Sequence, residues 1–365
     1  MEPMGQAVST ATRTDADDFA VGFYEQLDAV RRMQGCLLDA AGFGPCESAY
    51  EVTTAGPRWR LRHYGGAGAA ALPLLIVAAP IKRPYIWDIA PTRSALRICR
   101  ERGFDVYMLE WLPPDTSDAK AGIAAHALDA IGAAVTRVSR DTNGHKPVLM
   151  GHSLGGTLAA LHAAVRPEAL AGLVLLSAPL AFAAGTSAFR DAIAALAPGD
   201  LAGVQIVPGS LLSHLSAMAD PMSFVWSRMG DIAATMADPS GLAMETRVER
   251  WALDELPLPA ALVAQTLGWL YREDRFGRGL LNLNGGIARP AGLRLPCLVV
   301  TNTADTVAGP ETVQPVVDAI PDGYAKVITY PGETGVGLQH LAVLVGRDAC
   351  SDLWPRITDW IGARG

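Results

Sequence analysis

The chain lacks the marks of several protein classes. Its 365 residues include only five cysteines, Cys36, Cys46, Cys99, Cys297 and Cys350, and no C-x-x-C pair. An odd count without close pairs does not suggest a disulfide framework. It fits free thiols in a reducing compartment, here read as packing residues. No block of Lys and Arg stands out: Arg31-Arg32 and Lys82-Arg83 are isolated pairs, and the formal net charge is -7. A nucleic-acid partner is therefore disfavoured. The first residues, Met1 to Asp18, lack a basic segment followed by an apolar one, so no secretory signal is expected. The apolar runs are too short and too interrupted to span a bilayer. These absences together predict a soluble cytoplasmic protein. What the chain does have is a composition 50% hydrophobic and 18% charged, with 37 Gly and 25 Pro, which suits a globular α/β protein with a large core.

Residues 1–14 are small and polar and are expected to fray. Phe19, Phe23, Leu27, Val30, Met33 and Leu37 then recur at helical spacing, predicting an amphipathic helix that packs on the core. Residues 1–48 are read as an N-terminal helical extension. Tyr50 to Thr54 and Trp59 to Tyr64 read as strands. Gly65-Gly66-Ala67-Gly68 precedes a strand rather than a helix, so the dinucleotide-loop reading fails on context. From Leu72 to Pro179 strands and helices alternate, including a long helix from Ala119 to Arg140. That rhythm predicts right-handed βαβ crossovers and a parallel sheet. Residues 181–290 contain no convincing strand and are rich in Ala, Leu, Met and Trp. Strands return at Leu295 to Thr301 and Ala325 to Tyr330, before a last helix from Asp352 to Ile361. The predicted organisation is a sheet core of residues 49–180 and 291–365 interrupted by a helical cap at 181–290.

The stretch that organises this core is Val148-Leu149-Met150-Gly151-His152-Ser153-Leu154-Gly155-Gly156-Thr157. An apolar run meets a glycine, a serine follows two positions on, and further glycines open an alanine-rich helix. This is the G-x-S-x-G elbow, which places a serine on a strained strand-to-helix turn. Gly151 and Gly155, having no Cβ, let backbone cross close to the serine. The helix N-terminus aims partial positive charge at a bound oxygen. The plainer reading is an ordinary βα turn with a chance serine.

A serine hydroxyl needs a base, and the base an orienting acid. In an elbow fold they follow in the order serine, acid, histidine. His340 is the one histidine beyond the last strands, in a loop at their carboxyl edge. Asp305 is the carboxylate in the loop Thr301-Asn302-Thr303-Ala304-Asp305-Thr306-Val307. Its plainer role is capping the next helix. Two N–H donors should hold the oxyanion, from Leu154 and from Ile81, since Pro80 has none. His152 stands too close in sequence to serve Ser153 as a base and is read as structural. His63, His126, His145 and His214 show no ligand spacing, so neither a metal nor a cofactor is expected. Glu110 reads as a capping or anchoring acid. In the cap, Met222, Trp226 and Trp251 are candidate acyl-pocket residues among methionines and aromatics. The alternative is that they form the cap's own core.

These features identify the chain as a member of the α/β-hydrolase superfamily, and several stretches resemble its polyhydroxyalkanoate synthase branch. Leu74 to Ile86, with Pro80-Ile81-Lys82-Arg83-Pro84-Tyr85, is similar to that family's strand and oxyanion loop. Gly103 to Trp111, the elbow, Leu175 to Phe182, Arg250-Trp251 with Asp254, Leu256-Pro257 and Trp269-Leu270-Tyr271 follow in the expected places. The resemblance implies a central, mostly parallel sheet flanked by helices with an inserted helical cap. It also implies a hydroxyacyl or medium-chain acyl substrate, carried as a thioester on coenzyme A or a carrier protein or as an ester, and a homodimer. Two residues depart from it. The family has cysteine at the elbow where this chain has Ser153, and glycine before its histidine where this chain has Gln339. A serine forms an oxygen ester that water or another acceptor can clear. The expectation is therefore a serine thioesterase, esterase or acyltransferase. The alternatives are a polymerase and a non-catalytic subunit that assists one.

Overall fold

The computed structural model describes residues 15–65, 71–199, 201, 203–227, 229–231 and 238–364, with side chains from residue 21 onward. The expectations for residues 1–14 and for Gly66-Ala67-Gly68 lie outside these residues. Eight strands form the central sheet: β1 Glu51–Gly56, β2 Trp59–His63, β3 Pro73–Val77, β4 Asp105–Trp111, β5 Val148–His152, β6 Gly172–Leu176, β7 Cys297–Asn302 and β8 Ala325–Tyr330. Their order is β1-β2-β4-β3-β5-β6-β7-β8. β1 and β2 are antiparallel to each other, β2 is antiparallel to β4, and the remaining pairings are parallel.

Strands β3, β5, β6 and β7 are buried along their whole length, which explains their unbroken apolar runs. Leu75, Val77, Leu149, Leu175 and Val299 point into one apolar cluster, while Leu74, Ile76, Met150, Val174 and Val300 point into a second. That alternation is the period of two expected where helices cover both faces. At the antiparallel edge Glu110 faces Arg60 across β2 and β4 and is 1% exposed. It accepts hydrogen bonds from Arg60 Nε and, at 2.6 Å, from Arg62 Nε. Burial alone would raise its pKa, but the two guanidinium groups outweigh that and hold the carboxyl below its ordinary value. Glu110 thus ties two strands rather than capping a loop. Glu110→Gln removes the shared carboxylate, leaving Arg62 with the Glu47 carboxylate alone and Arg60 half-exposed, and is expected to cost about 1–3 kcal/mol in urea unfolding. A loss under about 1 kcal/mol would contradict this account.

The chain between β6 and β7 carries helices α5 (Ala188–Leu196), α6 (Gly209–Ala219) and α7 (Pro239–Ala252), counted after α1 (Asp15–Leu38), α2 (Ala95–Glu101), α3 (Ile131–Asp141) and α4 (Ser153–Val165). It also contains two short antiparallel pairs that the sequence hid: Ile206–Val207 with Leu258–Pro259, and Leu281–Leu283 with Gly286–Ala288. Strands of two or three residues are too short to show an alternating pattern. The long helix expected over 119–140 runs without a break over 123–141, widened to π-type turns at Ala125–Ala130 ahead of α3.

Helix α1 sits where expected, but most of its predicted apolar stripe is uncovered. Phe23, Val30, Met33 and Leu37 are exposed. Of the stripe, Leu27 is half-buried as expected, and the helix is otherwise held through Asp28, Arg31 and Gly35. Asp28 accepts from the Ser210 N–H at 2.8 Å, Arg31 donates to the Ala252 carbonyl at 2.8 Å, and Gly35 lies against the Arg250 guanidinium. The cysteines also divide. Cys99 and Cys297 are buried, with thiols pushed up to about 12 by burial, while Cys36 and Cys46 are exposed and do not pack. No helix among the described residues is long and apolar enough to cross a membrane.

Candidate active site

Strand β5 ends at His152, and α4 starts at Ser153 with φ 54°. Serine rarely adopts this left-handed conformation, which costs about 1–3 kcal/mol and persists only where the surroundings enforce it. Here the surroundings are backbone. A Cβ on Gly151 would stand 2.6 Å from Gly156 Cα, and one on Gly155 would meet the Val77 carbonyl oxygen. The glycines therefore let α4 start directly against the end of β3. This also places the elbow beside the loop that leaves β3 through Ala78 to Ile81.

Asp305 and His340, 35 residues apart in sequence, meet at 2.8 Å, with His340 Nδ1 donating to Asp305 Oδ2. The second carboxylate oxygen accepts from the N–H groups of Val307 at 2.9 Å and Ala308 at 3.1 Å. Asp305 therefore anchors its loop and orients an imidazole at once. Burial would raise its pKa, yet His340 and these donors hold it below the ordinary value. His340 Nε2 is buried and has no partner among the described residues, so no hydrogen bond joins it to Ser153 in this structure. Such contacts often form fully only with substrate bound. Ile81 and Leu154 are half-buried. The Ile81 N–H has no backbone acceptor among the described residues, while its carbonyl accepts from Leu256 N–H at 3.1 Å. The Leu154 N–H lies in the first turn of α4, where helix geometry leaves donors free.

Two groups that hold the His340 loop were not foreseen as doing so. His152 Nε2 donates to the His340 carbonyl at 2.8 Å, and the two rings pack with centroids 4.7 Å apart. Asn302, at the end of β7, donates to the Gln339 carbonyl at 2.7 Å. Consecutive carbonyls of this loop are thus gripped from two strand ends. A polar residue closing an otherwise apolar buried strand, as Asn302 does, was the available signal. Gln339 closes the same loop by accepting from the Glu333 N–H at 3.2 Å and donating to the Glu333 carbonyl.

Three carboxylates from the segment between β6 and β7 reach these loops. Asp220 accepts from Thr306 Oγ1 at 2.6 Å beside Asp305, and Asp231 from the Gly337 N–H at 3.0 Å in the His340 loop. Glu255 accepts from Lys82 Nζ at 3.0 Å beside Ile81. Of the expected acyl-pocket residues, Trp251 lines a cavity of about 330 Å³. Met222 and Trp226 are instead exposed, at 66% and 59%, and do not line it. The turn that carries them, Met222–Trp226, buries no residue. Among the described residues no group of three or more His, Cys, Asp and Glu side chains is placed to hold a metal ion.

Burial pushes His152 down to about 3, helped by His340, and burial also pushes His162 down to about 4. Between those values and the ordinary 6.5, the unfolded chain binds protons that the folded chain refuses, so stability rises with pH across that window. Each group contributes up to about 1.4 kcal/mol per pH unit. The expected result is a urea midpoint that falls steeply from pH 6.5 to pH 4.5. A flat midpoint over that range would contradict the burial of these two rings in neutral form.

The chain is similar to proteins named as poly(3-hydroxyalkanoate) polymerase subunits. It is 29% identical to that of Haloferax mediterranei, over 89% of this chain and 65% of the relative. It is 26% identical to that of Haloarcula marismortui, over 80% of this chain and 61% of the relative. The chain thus spans less than two thirds of the length of these two relatives. In structure it is similar to the monoacylglycerol lipase of Paleococcus ferrophilus, with a TM-score of 0.52 and 17% identity over 80% of this chain and 95% of the lipase. It is also similar to an esterase of a Rhodococcus species, with a TM-score of 0.51 and 14% identity over 87% of this chain and 100% of the esterase. Residues 89–332 match the family described as the alpha/beta hydrolase fold, and the chain belongs to that family.

Proposed function

We propose that this protein transfers an acyl group from a thioester or ester through a covalent acyl-Ser153 intermediate, with water as the usual acceptor. The observation that carries this reading is the buried, unpaired His340 Nε2, oriented by Asp305. Its carbonyl is held by the residue that precedes Ser153. Ser153 Oγ attacks the acyl carbonyl as His340 Nε2 takes its proton. Asp305 keeps Nδ1–H bonded, which leaves Nε2 free to accept and stabilises the imidazolium. The Leu154 and Ile81 N–H groups receive the oxyanion. The leaving thiolate or alkoxide takes the proton from His340. Water, deprotonated by His340, then cleaves the acyl-serine ester and regenerates the hydroxyl. These steps use only groups of this chain.

Similarity to polymerase subunits named for 3-hydroxyalkanoates supports a hydroxyacyl group as the cargo. The serine supports hydrolysis over polymer growth, because its ester is less activated toward further transfer than a thioester. An alcohol or amine acceptor is the second reading, favoured by the same relatives. The test is incubation with 3-hydroxybutyryl-coenzyme A, following released thiol and free acid. Both should appear together. Thiol release that requires an added alcohol or amine would make the protein a transferase. No release, with no labelling by a fluorophosphonate probe, would make it a non-catalytic subunit.

A further inference from the structure

We propose that the N-terminal helix α1 is a wall of the acyl-binding cavity, which takes an acyl chain that is apolar along most of its length. This rests on the acyl-transfer reading above. The 330 Å³ cavity falls in the range of small-molecule sites. It is bounded by Leu27 and Arg31 of α1, Trp251 of α7, Lys82, and Leu338 and Leu341. Lys82 follows the proposed oxyanion donor Ile81, and Leu338 and Leu341 flank His340. The cavity therefore abuts both loops that serve Ser153.

Its charged groups largely bond one another, although Arg31 Nε and Glu255 Oε2 have no hydrogen-bond partner among the described residues. Arg31 and Lys82 both bond Glu255 Oε1, at 3.1 Å and 3.0 Å, and Lys82 Nζ lies 5.4 Å from the centre of the Trp251 ring. Leu27, Phe224, Val248, Leu338, Leu341 and Trp251 are left to meet an apolar ligand, with His214 also on the wall. A second observation points to an occupant. Ser210 is 2% exposed and lines the cavity, and its hydroxyl has no hydrogen-bond partner among the described residues. A buried hydroxyl left unpaired is costly, and an oxygen on the acyl chain would satisfy it. The N–H of the same serine is bonded to Asp28 of α1, and Arg31 is tied to Ala252 of α7. Helix α1 is thereby fixed against the cavity on two sides, by polar contacts that spare Leu27.

The test is chain-length selectivity of the full-length protein on p-nitrophenyl esters. Leu27→Trp fills the cavity and is expected to lower the octanoate-to-acetate ratio of kcat/KM at least tenfold, through KM. Leu27→Ala enlarges it and is expected to raise the dodecanoate-to-octanoate ratio at least threefold. It decides the matter if the tryptophan variant does not fold. Folded variants that keep the unsubstituted protein's ratios would overturn the proposal. If the unsubstituted protein hydrolyses no ester and Ser153 resists a fluorophosphonate, the acyl-transfer reading itself fails, and the proposed wall with it.

Discussion

Ser153→Ala is expected to lower kcat for thioester or ester hydrolysis by about a millionfold, with stability unchanged to within about 0.5 kcal/mol. The two halves of this expectation have separate causes. The hydroxyl makes no hydrogen bond to His340, whose Nε2 has no partner among the described residues, so removing it breaks no bond to the base. Alanine meets the same backbone restriction at φ 54°, so the elbow geometry costs no more than before. Only the nucleophile is lost. A residual rate of about 10³–10⁴ over water should remain, because the Leu154 and Ile81 donors and the cavity are untouched. Steady-state kinetics and a urea midpoint on the same preparation separate the two. A variant that keeps more than a tenth of the activity would mean that Ser153 is not the nucleophile.

Asp305→Asn is expected to lower kcat by about 10⁴-fold, with KM changed little. The loss follows from which way the amide must turn. The Val307 and Ala308 N–H groups require an acceptor where Asp305 Oδ1 now sits. The amide oxygen must stay there, which turns its NH₂ toward His340 Nδ1. That nitrogen can then only accept, so the ring proton moves to Nε2, where it blocks uptake of the Ser153 proton. The loop stays anchored while the base is held in the wrong tautomer. Asp305→Ala should also lose stability, because it leaves both N–H groups without their acceptor. An asparagine variant within tenfold of the unsubstituted enzyme would show that Asp305 serves only as a loop anchor.

Much of this was legible in the sequence because local pattern and fold agreed. The unbroken apolar runs at Leu74 to Val77, Val148 to Met150, Leu173 to Leu176 and Leu298 to Val300 read as buried strands, and they are. Chain order alone pointed to Asp305 and His340, and the structure brings them within a hydrogen bond. What stayed hidden depends on contacts between residues distant in the chain. His152 reaches a carbonyl 188 residues away, and nothing near His152 announces it. The stripe Phe23, Val30, Met33 and Leu37 has the period of a packing face, but the helix is held by Asp28, Arg31 and Gly35 on another side. Periodicity reports that a face is apolar, not what covers it. Met222 and Trp226 have the chemistry of an acyl pocket but are exposed, while Phe224 of the same turn lines the cavity.

The central claim is a covalent acyl group on Ser153, and intact-protein mass spectrometry tests it most directly. The protein is mixed with 3-hydroxybutyryl-coenzyme A at one equivalent and quenched in acid over a time course, alongside Ser153→Ala. The account predicts a transient mass increase of one hydroxybutyryl group, mapped to the peptide containing Ser153. It should decay as free acid appears and be absent from the variant. An adduct of the same size on the variant, or free acid formed by the unsubstituted protein with no adduct at any time, would contradict it.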